Sequence, residues 1–133
     1  NFPLIEDITM NVAKAYGMIQ PGESDTKAVR AVFYIDPKGI VRALMYYPLS
    51  VGRNFDELYR TLICLQTADA FGVATPADWR PGDDVIIGAA GSCGAAKRRM
   101  EGKEDMQCQD WFFCSRKLPK EKVLAAILKK KRK

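Results

Sequence analysis

The sequence contains no histidine. That absence removes from this chain every mechanism that needs an imidazole: Ser-His and Cys-His nucleophile activation, and proton transfer by histidine. Cysteine is scarce, with Cys64, Cys93, Cys108 and Cys114, and no two of them stand in C-x₂₋₄-C spacing. Without such a pair or a histidine to complete a ligand set, zinc is disfavoured, and no metal or other cofactor is expected. No apolar run is long enough for a membrane span and no signal-peptide pattern is present, so a cytoplasmic chain with its cysteines as thiols is expected.

An excess of one charge sign is also lacking once it is located. The net charge is +5, and Lys129 to Lys133 alone carry five positive charges, leaving 16 basic against 16 acidic residues elsewhere. A basic run at the end of a helix complements the macrodipole and is solvated. A nucleic-acid surface would instead spread basic residues over a folded face with aromatics between them. Neither nucleic acid nor membrane is expected as a partner. The chain has 133 residues and 47% hydrophobic content, enough for one domain, or a domain with an appendage, and a real core. It opens on Asn1-Phe2-Pro3-Leu4-Ile5 and reads as a fragment of something longer.

What is present is organised around Ala28 to Pro48. Asp36-Pro37-Lys38-Gly39 has the residues of a type I turn, and the flanks are rich in Val, Ile, Phe and Tyr, so a hairpin is expected. Val29, Ala31, Phe33 and Ile35 share one face of its first strand, while Arg30, Val32 and Tyr34 share the other. Both faces are largely apolar, as in a sheet covered on both sides. Arg30 is out of place there: a guanidinium on such a strand either meets an anion or reaches water at the strand end.

Before the hairpin, a short helix over Met10 to Tyr16 is expected, capped by Thr9 and stopped by Gly17, and residues 20–27 form a polar loop. After it, Asn54 and Glu57 resemble a capping box opening the longest helix, which Gly72 ends. Its apolar stripe is expected to run through Phe55, Leu58, Leu62, Leu65 and Phe71, with Tyr59 and Ala68 flanking and Cys64 a buried, inert thiol. Composition shifts near residues 72–76. Beyond it lie a turn-dense stretch to Asp84, a strand at Val85-Ile86-Ile87, a brief helix over Ala95 to Met100 and a polar linker from Gly102 to Gln107. An aromatic segment from Cys108 to Cys114 follows, read as an anchor that docks on something, and then a terminal helix from Pro119 to Lys130. Its narrow apolar stripe is Val123, Leu124, Ile127 and Leu128. A β-β-α unit with one helix leaves one sheet face without cover, so another chain or another part of the protein is expected to pack there.

Four stretches in order resemble one family. They are Phe2-Pro3-Leu4-Ile5 with Val12-Ala13 and Tyr16-Gly17; Val29-Arg30-Ala31-Val32-Phe33-Tyr34-Ile35-Asp36; Tyr46-Tyr47-Pro48 through Gly52-Arg53-Asn54; and Thr75-Pro76-Ala77-Asp78-Trp79 with Gly82-Asp83. The chain resembles the C-terminal portion of a 1-Cys peroxiredoxin of the peroxiredoxin 6-like subfamily. The resemblance implies an α/β (α+β) fold: the β-β-α second half of a thioredoxin-like domain over residues 1–72, and the family's C-terminal dimerisation domain over residues 73–133. The family's Pro-x-x-x-Thr/Ser-x-x-Cys motif precedes none of the four cysteines, so the peroxidatic cysteine is absent from this sequence.

By that resemblance Arg30 is the active-site arginine, beside the peroxidatic sulfur, and Arg53 is a second arginine approaching the same pocket. Some members carry a C-x₅-C pair similar to Cys108 and Cys114 and use one of the two, Cys114 ahead of Cys108, to resolve the oxidised sulfur. The alternatives left open are two structural thiols, or a pair that bonds to itself on oxidation. Cys93, exposed by its Gly91-Ser92-Cys93-Gly94 context, is given no role. The implied activity is thiol-dependent reduction of hydrogen peroxide and alkyl hydroperoxides by a homodimer or higher oligomer, with a thioredoxin-like reductant. The competing reading is a non-catalytic homodimeric scaffold; a nucleic-acid-binding module using the basic tail comes last.

Overall fold

The computed structural model describes residues 2–24, 26–102 and 105–130, with the side chain of Lys130 left aside. The end of the basic tail, Lys131 to Lys133, and part of the expected linker, Lys103 and Glu104, lie outside the described residues. The chain divides into two compact units, Asn1–Phe55 and Asp56–Lys133. No helix among the described residues is long and apolar enough to cross a membrane.

The first unit holds helix α1 (Asn11–Ala15) and the hairpin of β1 (Arg30–Ile35) and β2 (Val41–Tyr47). The expected turn is present: the Gly39 N–H donates to the Asp36 carbonyl at 2.9 Å, and Gly39 takes φ 80°, where a side chain would be strained. Asp36 Oδ1 accepts from the N–H groups of Lys38 (2.8 Å) and Ile40 (3.0 Å), an Asx arrangement that also sets the start of β2. The strands pair antiparallel from Arg30↔Tyr47 to Tyr34↔Ala43, and the register shifts at Ile35. Tyr16, Phe33 and Tyr46 stack edge to face at 4.9 and 5.7 Å, and the Tyr46 hydroxyl donates to the Tyr16 carbonyl, tying α1 to the hairpin.

Two details of α1 differ from expectation. The helix is shorter, and its free N–H groups at Val12 and Ala13 are met by the Asp7 carboxylate (3.1 and 2.7 Å), not by Thr9. Met10 adopts φ 58°, which swings the chain so that the residue three positions earlier reaches the helix end. At the other end, N–H bonds from Gly17 to Lys14 and from Met18 to Ala13 form a Schellman stop. Little of this unit is closed: Ala13 and Val29 are its buried hydrophobic residues, whereas Ile35, Val41, Leu44 and Tyr46 of the hairpin stay exposed.

The second unit takes up helix α2 (Phe55–Phe71), β3 (Val73–Ala74), β4 (Asp84–Ile87), helix α3 (Cys93–Met100), β5 (Gln107–Asp110), β6 (Phe113–Lys117) and helix α4 (Lys120–Lys130). Its four strands form an antiparallel sheet in the order β3-β4-β6-β5. One cluster holds it together: Ile63 from α2, Val73, Trp79, Val85, Leu118, and Val123 and Ile127 from α4. The composition change near residues 72–76 therefore falls inside a shared core.

The stripe expected on α2 is corrected. Ile63 and Thr67, one turn apart, are its buried residues, and Cys64 and Phe71 pack beside them. Phe55 is 75% and Tyr59 63% exposed. The helix is apolar on more than one side, and periodicity alone does not choose which side meets the sheet. Thr67 fits the buried side because its hydroxyl donates to the Ile63 carbonyl at 2.7 Å. On α4, Val123 and Ile127 are buried as expected, but Leu128 is exposed.

Candidate functional site

The segment from Cys108 to Cys114, read from sequence as an anchor, is a hairpin. β5 and β6 are joined by a tight turn at Trp111-Phe112, where the Trp111 N–H donates to the Asp110 carboxylate at 2.7 Å. Gln-Cys-Gln-Asp has weak strand propensity and the turn has no glycine or asparagine, so nothing local announces the strands. The register sets Cys108 directly opposite Cys114, and the two form a disulfide. The expectation of four thiols is corrected at this pair, because cross-strand neighbours on one face bring their side chains together. β6 lies between β4 and β5, so Cys114 is fully buried; β5 is the edge strand and Cys108 is only half-buried.

The hairpin tip is open. Trp111 and Phe112 are exposed and stack edge to face at 5.6 Å. A shallow cavity of about 400 Å³ lies between Trp111 and the start of α3, lined by Ala90, Gly91, Ser92, Cys93 and Ala96. Ser92 caps α3 by accepting from the Ala95 N–H at 3.2 Å. Cys93 is a free, exposed thiol in this wall, as its sequence context suggests.

Arg30 and Arg53 both belong to the first unit. Arg30 opens β1 opposite Tyr47, at the end of the hairpin away from the Asp36 turn, and Arg53 lies in the stretch leaving that end. Both are exposed, and no described residue forms a hydrogen bond or ion pair with the Arg30 side chain. Of the two outcomes left open for Arg30, the described residues show the second: its side chain reaches water at the strand end.

The structure also assembles a set that the sequence reading passed over. Arg60 grips Glu57 with two bonds, Nε to Oε2 at 2.6 Å and Nη2 to Oε1 at 2.8 Å, and its Nη1 lies 3.5 Å from Cys64 Sγ. Thr61 adds a bond to Glu57 Oε1 at 3.1 Å. Spacings of three, four and seven residues place all four side chains on one side of α2, a signal present in the sequence. Cys64 is thus half-buried beside a guanidinium, whereas the sequence suggests a fully buried, inert thiol.

The Arg60 hydrogen bonds, helped by Thr61, hold the Glu57 carboxyl at about 2, well below its ordinary 4.5, and Arg60 is raised in turn. Because the folded value is depressed, the stabilisation is complete above pH about 4.5 and is lost as pH falls through about 2. Glu57→Gln should therefore flatten the pH dependence of stability between those limits and leave it unchanged above them. Urea midpoints measured from pH 2 to 5 check this; parallel curves for parent and variant would refute it.

Among the described residues, no group of three or more His, Cys, Asp or Glu is gathered to hold a metal ion.

Comparison with known proteins gives these features a context. The family model for the C-terminal domain of 1-Cys peroxiredoxin matches residues 64–103. Among solved structures, a mutant of peroxiredoxin 6 from Arenicola marina superposes with a TM-score of 0.70 at 32% identity, covering 86% of this chain and 55% of that one. Yeast mitochondrial 1-Cys peroxiredoxin gives 0.65 at 34% identity, covering 81% and 52%. The fold class is therefore thioredoxin-like. A peroxiredoxin of Methanosarcina mazei is 54% identical over 118 residues, 87% of this chain and 53% of that protein. Peroxiredoxin 2 of Caldanaerobacter subterraneus subsp. tengcongensis is 47% identical over 117 residues, 88% and 53%.

Along most of its length the chain is similar to the C-terminal portion of peroxiredoxins of the 1-Cys type. It spans about half the length of the curated relatives it matches.

Proposed function

We propose that this chain supplies the second half of a thiol-dependent peroxidase that reduces hydrogen peroxide and alkyl hydroperoxides. The observation that carries the reading is the 54% identity to a peroxiredoxin along 87% of the chain. In this reading Arg30 faces a peroxidatic cysteine contributed by the other half, with Arg53 near the same pocket. A fixed guanidinium favours thiolate over thiol and stabilises negative charge developing on the peroxide oxygen. The thiolate attacks that oxygen, the O–O bond breaks, water or an alcohol leaves, and the sulfur becomes a sulfenic acid. Once an external dithiol has reduced the Cys108–Cys114 bridge, one of its thiols condenses with the sulfenic acid and releases water, and the other attacks that disulfide, frees the peroxidatic thiol and remakes the bridge.

A relative's description supports a reductant of the thioredoxin or glutathione type: the yeast protein is described as having its thiol resolved through those systems. The exposed hairpin residues Ile35, Val41 and Leu44 support burial of this surface in the whole protein. The exposed Trp111-Phe112 tip supports a homodimer in which the C-terminal extension lies against the partner.

The test is peroxide consumption with excess dithiol, by these 133 residues alone and by a chimaera that joins them to the N-terminal half of the Methanosarcina mazei relative. Turnover by the chimaera and none by the short chain is the expected result. Turnover by the short chain at an enzyme-like rate would place a peroxidatic thiol among its own four cysteines. A folded chimaera without activity would favour the non-catalytic scaffold.

A further inference from the structure

The two sulfurs of the Cys108–Cys114 bridge are not equivalent. Cys114 lies on β6, with β4 on one side and β5 on the other, and is fully buried. Cys108 lies on β5, where the sheet ends among the described residues, and is half-buried. Thiol–disulfide exchange is an in-line displacement: the incoming thiolate approaches the attacked sulfur from the side opposite the leaving sulfur. For attack on Cys114 the thiolate must come from the side of β4, whose Ile87 stands opposite Cys114 in the register. For attack on Cys108 it comes from the outer side of β5, where no further strand lies among the described residues and Cys108 stays half-exposed.

We propose that external thiols open this bridge at Cys108, so that the edge strand carries the mixed disulfide and Cys114 is the sulfur released inside the fold. A thiolate of the dithiol attacks Cys108 Sγ; the bond between Cys108 and Cys114 breaks as the new S–S bond forms, and the electron pair goes to Cys114 Sγ. Cys114 takes up a proton, and the Asp110 carbonyl, 3.5 Å from its sulfur, is placed to accept the resulting S–H. The second thiol of the reductant then attacks its own partner sulfur, leaves as a cyclic disulfide and frees Cys108. Two electrons and two protons pass from dithiol to bridge. The inference deepens the resolving role proposed above and rests on it only for its place in turnover. It makes Cys108 the site of entry for the reductant, whichever of the two condenses with the sulfenic acid.

The test uses the 133-residue chain carrying Cys64→Ser and Cys93→Ser, so that only the pair reports. The oxidised chain is exposed briefly to glutathione, quenched in acid and mapped by mass spectrometry. The adduct is expected on Cys108 in at least about tenfold excess over Cys114, with the bias gone in urea, because access sets the rate. Single variants give an independent reading: the Cys108 thiol left by Cys114→Ser should react with an aromatic disulfide at least about ten times faster than the Cys114 thiol left by Cys108→Ser. Equal labelling in the folded state, or adduct mainly on Cys114, overturns the proposal. If the order holds while the chimaera turns over normally without either cysteine, the resolving role falls and the order of attack stands.

Discussion

Replacing Trp79 with alanine is expected to destabilise the second unit by about 3–5 kcal/mol, the range for losing a buried aromatic ring from a closed core. Trp79 is 1% exposed and shares a cluster with Ile63, Val73, Val85, Leu118, Val123 and Ile127. Those neighbours come from α2, β3, β4, α4 and the residue just after β6, so one ring links elements that are far apart in sequence. Its seat is built locally. Asp78 takes φ 59°, the Arg80 N–H donates to Asp83 Oδ2 at 2.8 Å, and the indole Nε1 donates to the Asp83 carbonyl at 3.2 Å. Removal therefore leaves a void bordered by several rigid elements, which cannot all relax into it. Trp79→Phe keeps much of the volume and loses the indole bond, so a smaller cost of about 1–3 kcal/mol is expected. Urea unfolding followed by far-UV circular dichroism measures both. An alanine variant with the parent midpoint would show that the cluster does not depend on this ring.

In the chimaera described above, Arg30→Ala is expected to lower kcat/KM for hydrogen peroxide by about 10²–10³-fold, the scale of removing one preorganised donor from a site of developing negative charge. The same change should raise the pKa of the peroxidatic thiol, because a cation that favours the thiolate is gone. Arg30→Lys separates the two contributions. It restores a positive charge but not the planar pair of N–H donors, so the thiol pKa should recover further than the rate. Because the Arg30 side chain is exposed on β1 and bonded to no described residue, the substitution leaves the hairpin ladder, which its backbone makes with Tyr47, intact. Stopped-flow peroxide kinetics together with thiolate absorbance against pH check both. An Arg30→Ala chimaera with parent kinetics would remove Arg30 from the reaction.

Where the sequence was legible, the information was local. The hairpin could be read because Asp36, Pro37 and Gly39 specify their turn and the flanking residues favour strands. The stops at Gly17 and Gly72 could be read because both require φ near +60°. What could not be read depends on partners distant in sequence. α2 is apolar on more than one side, and only the sheet it meets selects Ile63 and Thr67 over Phe55 and Tyr59. Trp79 sits in a polar, proline-rich turn, a context that argues against burial, yet it fills the core.

The candidate site divides in the same way. Arg30 stood out as a charge on an apolar strand, whereas the pairing of Cys108 with Cys114 waited on the register of a hairpin that composition does not announce. The Glu57–Arg60 pair was legible from its spacing of three on a helix and was passed over.

The bridge closes a ring between residues only six apart. By loop-closure entropy such a short ring restrains the unfolded chain modestly, roughly 2–2.5 kcal/mol against nearly 5 for a hundred-residue loop. Neither cysteine belongs to the cluster around Trp79, so that cluster packs without the bridge's sulfurs. The bond is suited to work as a clasp rather than a rivet: it can be opened and remade through repeated cycles while the framework that aligns its two halves remains folded.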